Sequence, residues 1–335
     1  MAVSIREVAE KVGVSAGTVS HVLNGNASAR IAPATQDRIR QAAEDLGYSP
    51  NRLARGLGRG RTDTIGVIIS GLRNPFFADI VETVEGITVA AGYHAIVEVT
   101  PQPPGDTKRK GNLSGWPVDG ILLWAQPWQT LVDHAGKSAQ HIPVVYLGYP
   151  RTDETDWVAF DLYGGGRVLT EHLFAQGYKR TWYFTPFREN VPVAREARIV
   201  AYLDTCARYG QTGRVVLLSR SEETRQIGVE TGLQIAAMPP AERPDAIICH
   251  NDIVAVGVYH GLIRGGVRVP EEVAVTGFDG IAEGQCLDKP LTTVTTSAEA
   301  MCRTAIDLLM KRIAGEPRSP QGVSIPTTLS IGKTT

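Results

Sequence analysis

The stretch that decides the fold of the first domain is residues 4–24, SIREVAEKVGVSAGTVSHVLN. Its pattern predicts two short helices joined by a turn at Gly13, because a residue without a side chain adopts the left-handed conformation most easily. Ser4 and Glu7 have the spacing of a capping box, and Ser15 can cap the second helix. This is the layout of a helix-turn-helix, whose second helix enters the major groove of DNA.

The second helix, predicted over residues 16–23, has an inner and an outer face. Val19, Val22 and Leu23 fall at helical spacing and form the inner face. The outer face carries no acidic residue and consists of Ala16, Gly17, Thr18, Ser20 and His21. Such a face suits contact with phosphates, but a helical hairpin that serves only for packing has the same pattern.

A third helix and a basic segment complete the first part of the chain. Pro33 suits the first turn of a helix that we expect to end near Leu46, so residues 1–48 predict a three-helix head. Residues 49–61, SPNRLARGLGRGR, contain four arginines, three glycines and no acidic residue. This segment is either a flexible basic linker or a hinge that becomes helical only on DNA.

Composition and charge narrow the class of protein. The chain has 335 residues, 43% hydrophobic and 21% charged, which is typical of a soluble globular protein with two or three packed units. Residues 1–61 carry nine basic and five acidic residues, a balance of +4, and the remainder carries 25 basic and 30 acidic residues, a balance of −5. A small basic head on a mildly acidic body indicates that the head meets a polyanion.

Cysteine usage and hydropathy exclude several further classes. The four cysteines include no CxxC pair and lack metal-ligand spacing with the seven histidines, so we expect reduced thiols in a cytoplasmic setting, no metal and no cofactor. No apolar run reaches 18 residues, and the first ten residues lack the apolar core of a signal peptide. Neither a membrane span nor a secretory signal is predicted.

From Thr64 onward, apolar runs alternate with helical patterns, which predicts βαβ units and doubly wound parallel sheets. The predicted strands are 65–69, 93–99, 119–125, 142–147, 181–185, 214–218, 245–249, 273–278 and a late one near 323–331. The predicted helices are 76–91, 164–176, 194–209, 222–237, 252–264 and 298–313. We interpret them as an α/β body, residues 62–335, with two Rossmann-like lobes and a ligand cleft beyond the carboxyl ends of the strands. The expected boundaries are 62–160 and 292–325 for the first lobe, and 161–291 and 326–335 for the second.

The order of these motifs resembles the lactose-repressor and galactose-repressor (LacI–GalR) family of bacterial transcription regulators along essentially the whole chain. The motifs are VGVSAGTVSHVLNG, LGYSPNRLARGL, TIGVIISGLRNPFF, VDGILL, GGGRVLTEHLFAQGYKR, PDAIICHND, GVRVPEEVAVTGFDGIA and PLTTV. The resemblance implies a homodimeric repressor that binds a palindromic operator in double-stranded DNA. It also implies lobes of the periplasmic-binding-protein type, in which a small polar effector such as a sugar changes the affinity for DNA.

The resemblance also implies which residues contact DNA. The positions that read base edges match Ala16, Gly17 and His21. Ala16 and Gly17 offer no hydrogen-bonding side chain and a neutral His21 makes at most one such bond, so we expect few direct contacts to bases. The phosphate-positioning groups match Ser15, Thr18, Ser20 and Asn24. The hinge contacts match Asn51, Arg52, Ala54, Arg55 and Leu57, and the last aligns with a leucine that wedges between base pairs in the minor groove.

By the same resemblance, the effector cleft is lined by Asn74, Phe76, Phe77, Asp161, Arg198, Asn251 and Asp279, and Trp124 is a further aromatic ring that can stack on a ligand there. Carboxylates accept from hydroxyl groups, the guanidinium donates a planar fork, and aromatic rings stack on apolar ligand faces. Two departures from the family pattern stand out. Leu162 replaces an asparagine, and the aromatic residue expected after PLTTV is absent from 296–298.

Two other classes of protein remain as alternatives. The body, residues 62–335, contains neither HExxH nor GxSxG, so we do not expect an enzyme, although the glycines at 164–166 open a helix and could bind an anion. A solute-binding protein without a DNA function fits the body equally well. It does not account for the basic head.

Overall fold

The computed structural model of the chain describes residues 3–23, 30–48, 61–69, 71–99, 118–124, 142–148, 153–186, 196–218 and 225–335. These residues fall into two compact units, a head within Met1–Asp63 and a body within Thr64–Thr335.

The described part of the head contains three helices, α1 (Ile5–Val12), α2 (Ala16–Leu23) and α3 (Pro33–Asp45). The predicted capping box is present, with the Ser4 N–H donating to the Glu7 carboxylate at 2.6 Å. Gly13 ends α1 at φ +76°, and the Ser15 hydroxyl accepts from the Thr18 N–H at 3.1 Å at the start of α2. The local signals therefore predicted this head correctly.

The head core is small and apolar. Val8, Val19 and Ile39, one from each helix, are completely buried. Arg38 on α3 donates to the carbonyl oxygen of Val12 at 2.8 Å, which satisfies one of the free carbonyl groups at the end of α1. Packing and this cross-helix bond hold the three short helices together.

The described strands of the first lobe are β1 (Thr64–Ile69), β2 (His94–Val99), β3 (Gly120–Trp124), β4 (Val144–Leu147), β5 (Asp156–Phe160) and β11 (Gly322–Ile325). They form a parallel sheet in the order β11-β5-β4-β3-β1-β2. The helices α4 (Pro75–Ala90) and α10 (Ala298–Ile313) pack together against it. The central strands are buried on both faces, which explains their continuous apolar runs.

The described strands of the second lobe are β6 (Thr181–Thr185), β7 (Arg214–Leu217), β8 (Ala246–Cys249), β9 (Ala274–Asp279), β10 (Thr292–Thr295) and β12 (Thr328–Ser330). They form a sheet in the order β12-β10-β9-β8-β6-β7, which is parallel except for the antiparallel β12. Its helices are α5 (Leu162–Ala175), α6 (Ala197–Arg208), α7 (Arg225–Ala236), α8 (Asp252–Arg264) and α9 (Ala282–Gln285). No helix in the described ranges is long and apolar enough to cross a membrane.

Along the described strands, the chain passes between the two sheets three times, and one expected lobe boundary was wrong. Thr292 pairs with Thr276 of β9, so β10 belongs to the second lobe rather than to the first. The chain returns to the first lobe only after Thr295, for α10 and β11, and then goes back for β12. The late strand predicted near 323–331 is thus two strands in two different sheets.

Strand β5 was missed in the sequence because it opens on an acidic residue. Asp156 is 2% exposed and its Oδ2 accepts from Arg312 at 2.7 Å and from Arg318 at 2.8 Å. Its Oδ1 accepts from the Gln321 N–H at 2.8 Å. Because these partners lie more than 150 residues away, no local pattern marks DWVAF as a central strand.

Helices α7 and α8 touch through their backbones. Gly228 and Gly232 of α7 face Gly257 and Gly261 of α8, and a Cβ atom at any of the four would fall on a carbonyl oxygen of the facing helix. Both helices can approach this closely only because the four positions carry no side chain. The pair forms one closely packed layer on the second lobe.

Candidate functional site

The first-lobe side of the candidate cleft is built at the start of α4. Asn74 caps this helix through its Oδ1, which accepts from the Phe76 N–H at 3.2 Å, and Pro75 fills the first helical position, where no N–H is needed. Asn74 is buried. Since α4 follows β1, the cap lies at the carboxyl edge of the sheet, where open α/β folds bind ligands.

Four aromatic rings meet at the same edge. The ring centroid of Phe76 is 5.3 Å from that of Phe77 and 5.4 Å from that of Trp124. Phe160 lies 6.1 Å from Phe76, and Phe77 lies 5.3 Å from Trp124. Phe76 and Phe160 are buried, whereas Phe77 and Trp124 are half-buried. Phe77 and Trp124 are therefore the rings with exposed surface, and Phe76 supports them.

Asp279 joins the two lobes. Its Oδ2 accepts from Asn74 Nδ2 at 3.3 Å, across the cleft. Its φ of +117° lies in the region that favours glycine, a conformation that costs a residue with a side chain about 1–3 kcal/mol. Thr296 holds this backbone, because both its N–H and its hydroxyl donate to the Asp279 carbonyl oxygen, at 3.2 and 3.1 Å. Strain of this kind is typical of functional positions.

Arg198 is held within the second lobe by several bonds. Its Nε donates to Glu196 at 2.7 Å, and its Nη1 donates to the His250 carbonyl oxygen at 2.8 Å. Its guanidinium also lies 5.2 Å from the ring centroid of Phe278. Burial opposes the charge, but the adjacent Glu196 carboxylate outweighs it and raises the pKa of Arg198. Sequence reasoning found Arg198 and missed Glu196.

His250 accepts a hydrogen bond from Arg198. Arg198 Nη2 lies 2.6 Å from His250 Nε2, and a guanidinium can only donate, so His250 carries its hydrogen on Nδ1. That nitrogen faces Tyr183 Oη at 3.3 Å. Burial and the neighbouring positive charge place the pKa of His250 well below its usual range, so this imidazole is neutral at physiological pH.

Asp161 and Asn251 begin helices. Asp161 Oδ1 accepts from the Gly164 N–H at 2.9 Å, and Asn251 Oδ1 accepts from the Val254 N–H at 3.2 Å. Asp161 is half-buried and Asn251 is buried. Both side chains lie at the predicted edge of the sheets, and each has its first role in capping a helix.

Asp252 is a buried carboxylate that sequence reasoning did not single out. Its Oδ2 accepts from the N–H groups of Gly280 and Ile281 at 2.6 and 2.9 Å, and its Oδ1 accepts from the Thr293 hydroxyl at 2.6 Å. Burial outweighs these bonds and raises the pKa of Asp252 to about 6. Asp252 thereby fixes the loop that follows Asp279. Its partners lie 28 to 41 residues away, so no motif could have indicated them.

The glycine run at 164–166 is explained by packing. A Cβ atom on Gly165 would come within 2.8 Å of the Phe278 ring, and one on Gly166 would come within 3.1 Å of the Arg198 carbonyl oxygen. The Gly164 N–H is already bonded to Asp161. These contacts give the run a packing role, so the suggested anion site has no support.

The outer face of α2 is partly as expected. Gly17 and His21 are exposed, and Thr18 and Ser20 are half-buried. Ala16 was predicted to lie on the outer face, but it is half-buried and packs on the head core. The predicted contacts Asn24, Asn51, Arg52, Ala54, Arg55 and Leu57 lie outside the described residues.

Comparison with known proteins agrees with both units. Residues 4–51 match the family model of the bacterial regulatory proteins of the lacI family, and residues 170–335 match that of a periplasmic binding protein-like domain. Among curated proteins, the chain is 31% identical over 340 residues to the HTH-type transcriptional regulator CelR of Thermobifida fusca, covering 98% of this chain and 97% of the relative.

Solved structures show the same architecture. A CelR–cellobiose complex matches with a TM-score of 0.68 and 28% identity, covering 99% of this chain and 100% of that chain. The lac repressor dimer bound to operator and the anti-inducer ONPF matches with a TM-score of 0.82 and 23% identity, covering 100% and 99%. The chain therefore belongs to the LacI family of bacterial regulatory proteins and is a DNA-binding transcriptional regulator, not an enzyme.

Proposed function

We propose that this chain is a cytoplasmic, homodimeric repressor whose affinity for a palindromic operator is changed by a sugar or a related polar metabolite bound between the lobes. The observation that carries the proposal is the hydrogen bond from Asn74 to Asp279, which places a carboxylate of one lobe on a helix cap of the other. The related CelR was solved with cellobiose, and the lac repressor as a dimer on operator, which supports both the effector class and the assembly.

The effector contacts that we propose are Asn74, Phe76, Phe77, Trp124, Asp161, Arg198, Asn251 and Asp279. Ligand hydroxyl groups would donate to Asp161 and Asp279, and the remaining N–H groups of Arg198 would donate to a ligand oxygen. Trp124 and Phe77 would cover the apolar face of a sugar ring, with Phe76 beneath them. A hydroxyl group on Asp279 changes the bond to Asn74, so binding is coupled to the angle between the lobes.

The DNA contacts that we propose are Ser15, Ala16, Gly17, Thr18, Ser20, His21 and Asn24 in the head, and Asn51, Arg52, Ala54, Arg55 and Leu57 in the hinge. His21 is the exposed side chain of α2 best able to bond a base edge. Since Gly17 has no side chain and Ala16 is half-buried, discrimination would rest largely on the Leu57 wedge, dimer spacing and DNA deformability.

Thermal unfolding in the presence of cellobiose, glucose, ribose, a sugar phosphate and a nucleobase tests the effector class. A ligand at about 100 times its Kd stabilises the folded state by about 2.7 kcal/mol. An operator selected from random DNA is then titrated with and without the hit. Reciprocity requires that DNA and ligand change each other's affinity by the same factor.

The variant Asp279→Asn should lower the affinity for the ligand, whereas Asp204→Asn, at an exposed position of the same lobe, should leave this affinity unchanged. If no polar ligand stabilises the protein, or if a stabilising ligand leaves the DNA affinity unchanged, the proposed function is wrong.

A further inference from the structure

Glu196 is a buried carboxylate at the second-lobe side of the cleft. It caps α6, and its Oε1 accepts from the Arg198 N–H at 3.3 Å and from Arg198 Nε at 2.7 Å. The paired side chains are only 7% and 12% exposed. A buried pair of this kind is held firmly, because removing one partner leaves the other charge uncompensated.

This ion pair determines the charge that Arg198 presents to a ligand. Three of its five N–H groups are used within the lobe, one by Glu196 and two by His250. Two N–H groups can still donate to a ligand oxygen. Because the Glu196 carboxylate already balances the positive charge, Arg198 can act there as a hydrogen-bond donor without acting as a counter-ion.

Among the described residues proposed for the cleft, the other titratable groups are two carboxylates and one imidazole. Asp161 and Asp279 are carboxylates, and His250 is a neutral imidazole that faces the guanidinium. With Arg198 and Glu196 cancelling, these five residues sum to two negative charges. Two carboxylates accept readily from hydroxyl groups and repel a carboxylate or phosphate brought close to them.

We propose that Glu196 sets the charge class of the effector: by neutralising Arg198, it makes the cleft select a neutral, hydroxyl-rich ligand over the carboxylated or phosphorylated form of the same ligand. This inference rests on the proposed function, since it presupposes an effector between the lobes. Glu196 is a specificity-determining residue that acts through Arg198.

The test compares Glu196→Gln with two controls. The glutamine side chain would keep an acceptor oxygen for Arg198 Nε and would lose the charge, whereas Glu196→Asp keeps the charge and can still cap the helix. Glu171→Gln removes one negative charge from the far end of α5, where Glu171 pairs with Arg167 and Arg208. Each protein is titrated calorimetrically with cellobiose, glucose, cellobionate, glucuronate and glucose 6-phosphate.

The readout is the ratio of Kd values for the charged and neutral members of each pair, which a purely structural loss would not shift. The wild-type protein, Glu196→Asp and Glu171→Gln should prefer the neutral sugar. In Glu196→Gln the ratio should fall by about tenfold, because the guanidinium becomes an unbalanced charge beside the ligand.

Three outcomes would overturn the inference. An unchanged ratio in Glu196→Gln, with sugar binding intact, would refute the role of Glu196 and leave the proposed function standing. The same holds for a wild-type protein that prefers the anionic ligand. If neither the wild-type protein nor any variant binds a member of the panel, the proposed effector class fails and the inference fails with it.

Discussion

Replacing Asp252 by asparagine tests whether one buried charge limits the stability of the second lobe. The Asp252 carboxylate accepts from the N–H groups of Gly280 and Ile281 and from the Thr293 hydroxyl. An asparagine amide can accept from both N–H groups through its oxygen and donate to Thr293 through its nitrogen. The substitution therefore removes the charge while each hydrogen bond keeps a partner.

The magnitude follows from the pKa of Asp252, which burial raises from 3.8 to about 6. A difference of this size corresponds to about 3 kcal/mol. Because the folded state binds the proton on Asp252 more tightly than the unfolded state, protonation of Asp252 stabilises the fold. This stabilisation is fully present below pH 3.8 and is lost as the pH rises through 6. Asparagine cannot ionise, so the stability of the variant has no such dependence on pH.

Urea unfolding of both proteins between about pH 4 and pH 8 measures the effect. The free energy of unfolding of Asp252→Asn, minus that of the wild-type protein, should rise by about 2–3 kcal/mol across this range. Asp204→Asn, at an exposed position of the same lobe, is the control for a simple change in net charge. A difference for Asp252→Asn that does not depend on pH would refute the reasoning.

Three further substitutions probe packing, a buried ion cluster and the hinge. Gly257→Ala should lower the free energy of unfolding in urea by about 2–3 kcal/mol, because the methyl group falls on the backbone of α7. The control is Gly86→Ala, on an open part of α4, which should raise the free energy of unfolding by about 1 kcal/mol in the same assay. Asp156→Asn should cost about 3–5 kcal/mol in that assay, because two arginines lose their carboxylate, and a loss below about 1 kcal/mol would contradict this. Gly56→Ala should tighten operator binding about fivefold at matched salt if the hinge becomes helical on DNA, and unchanged affinity in fluorescence anisotropy would argue against that coupling.

Local signals were sufficient for most elements of the fold. The helices predicted at 252–264 and 298–313 have those bounds in the structure. Their capping residues and apolar periodicity can be identified from the residues of each helix and its immediate neighbours. Strand β5 was missed because its first residue, Asp156, becomes acceptable in a sheet only beside arginines from the end of α10 and the segment after it. The change of lobe after β10 was misplaced for the same reason, because sheet membership depends on a partner strand.

The candidate site likewise contains some residues that the sequence indicated and others that only the structure revealed. Asp279 and Asn74 could be named from the resemblance, and the structure brings them together. Glu196 and Asp252 could not, because their importance lies in contacts with Arg198 and with the loop at Gly280. Sequence motifs thus indicated the candidate ligand contacts, whereas the buried carboxylates bonded to Arg198 and to the loop at Gly280 could be identified only from the structure.

Because the chain passes between the lobes three times along its described strands, each lobe receives its last strand only late in synthesis. The described helices of the head lie within residues 5–45, so all of them leave the ribosome before the first strand of the body. The first sheet is complete only once its edge strand β11 has been made, and the second only once its edge strand β12, which ends at Ser330, has been made. During synthesis the DNA-binding head is therefore complete long before the lobes that regulate it, and a chain interrupted before β11 would carry a head without a finished effector cleft.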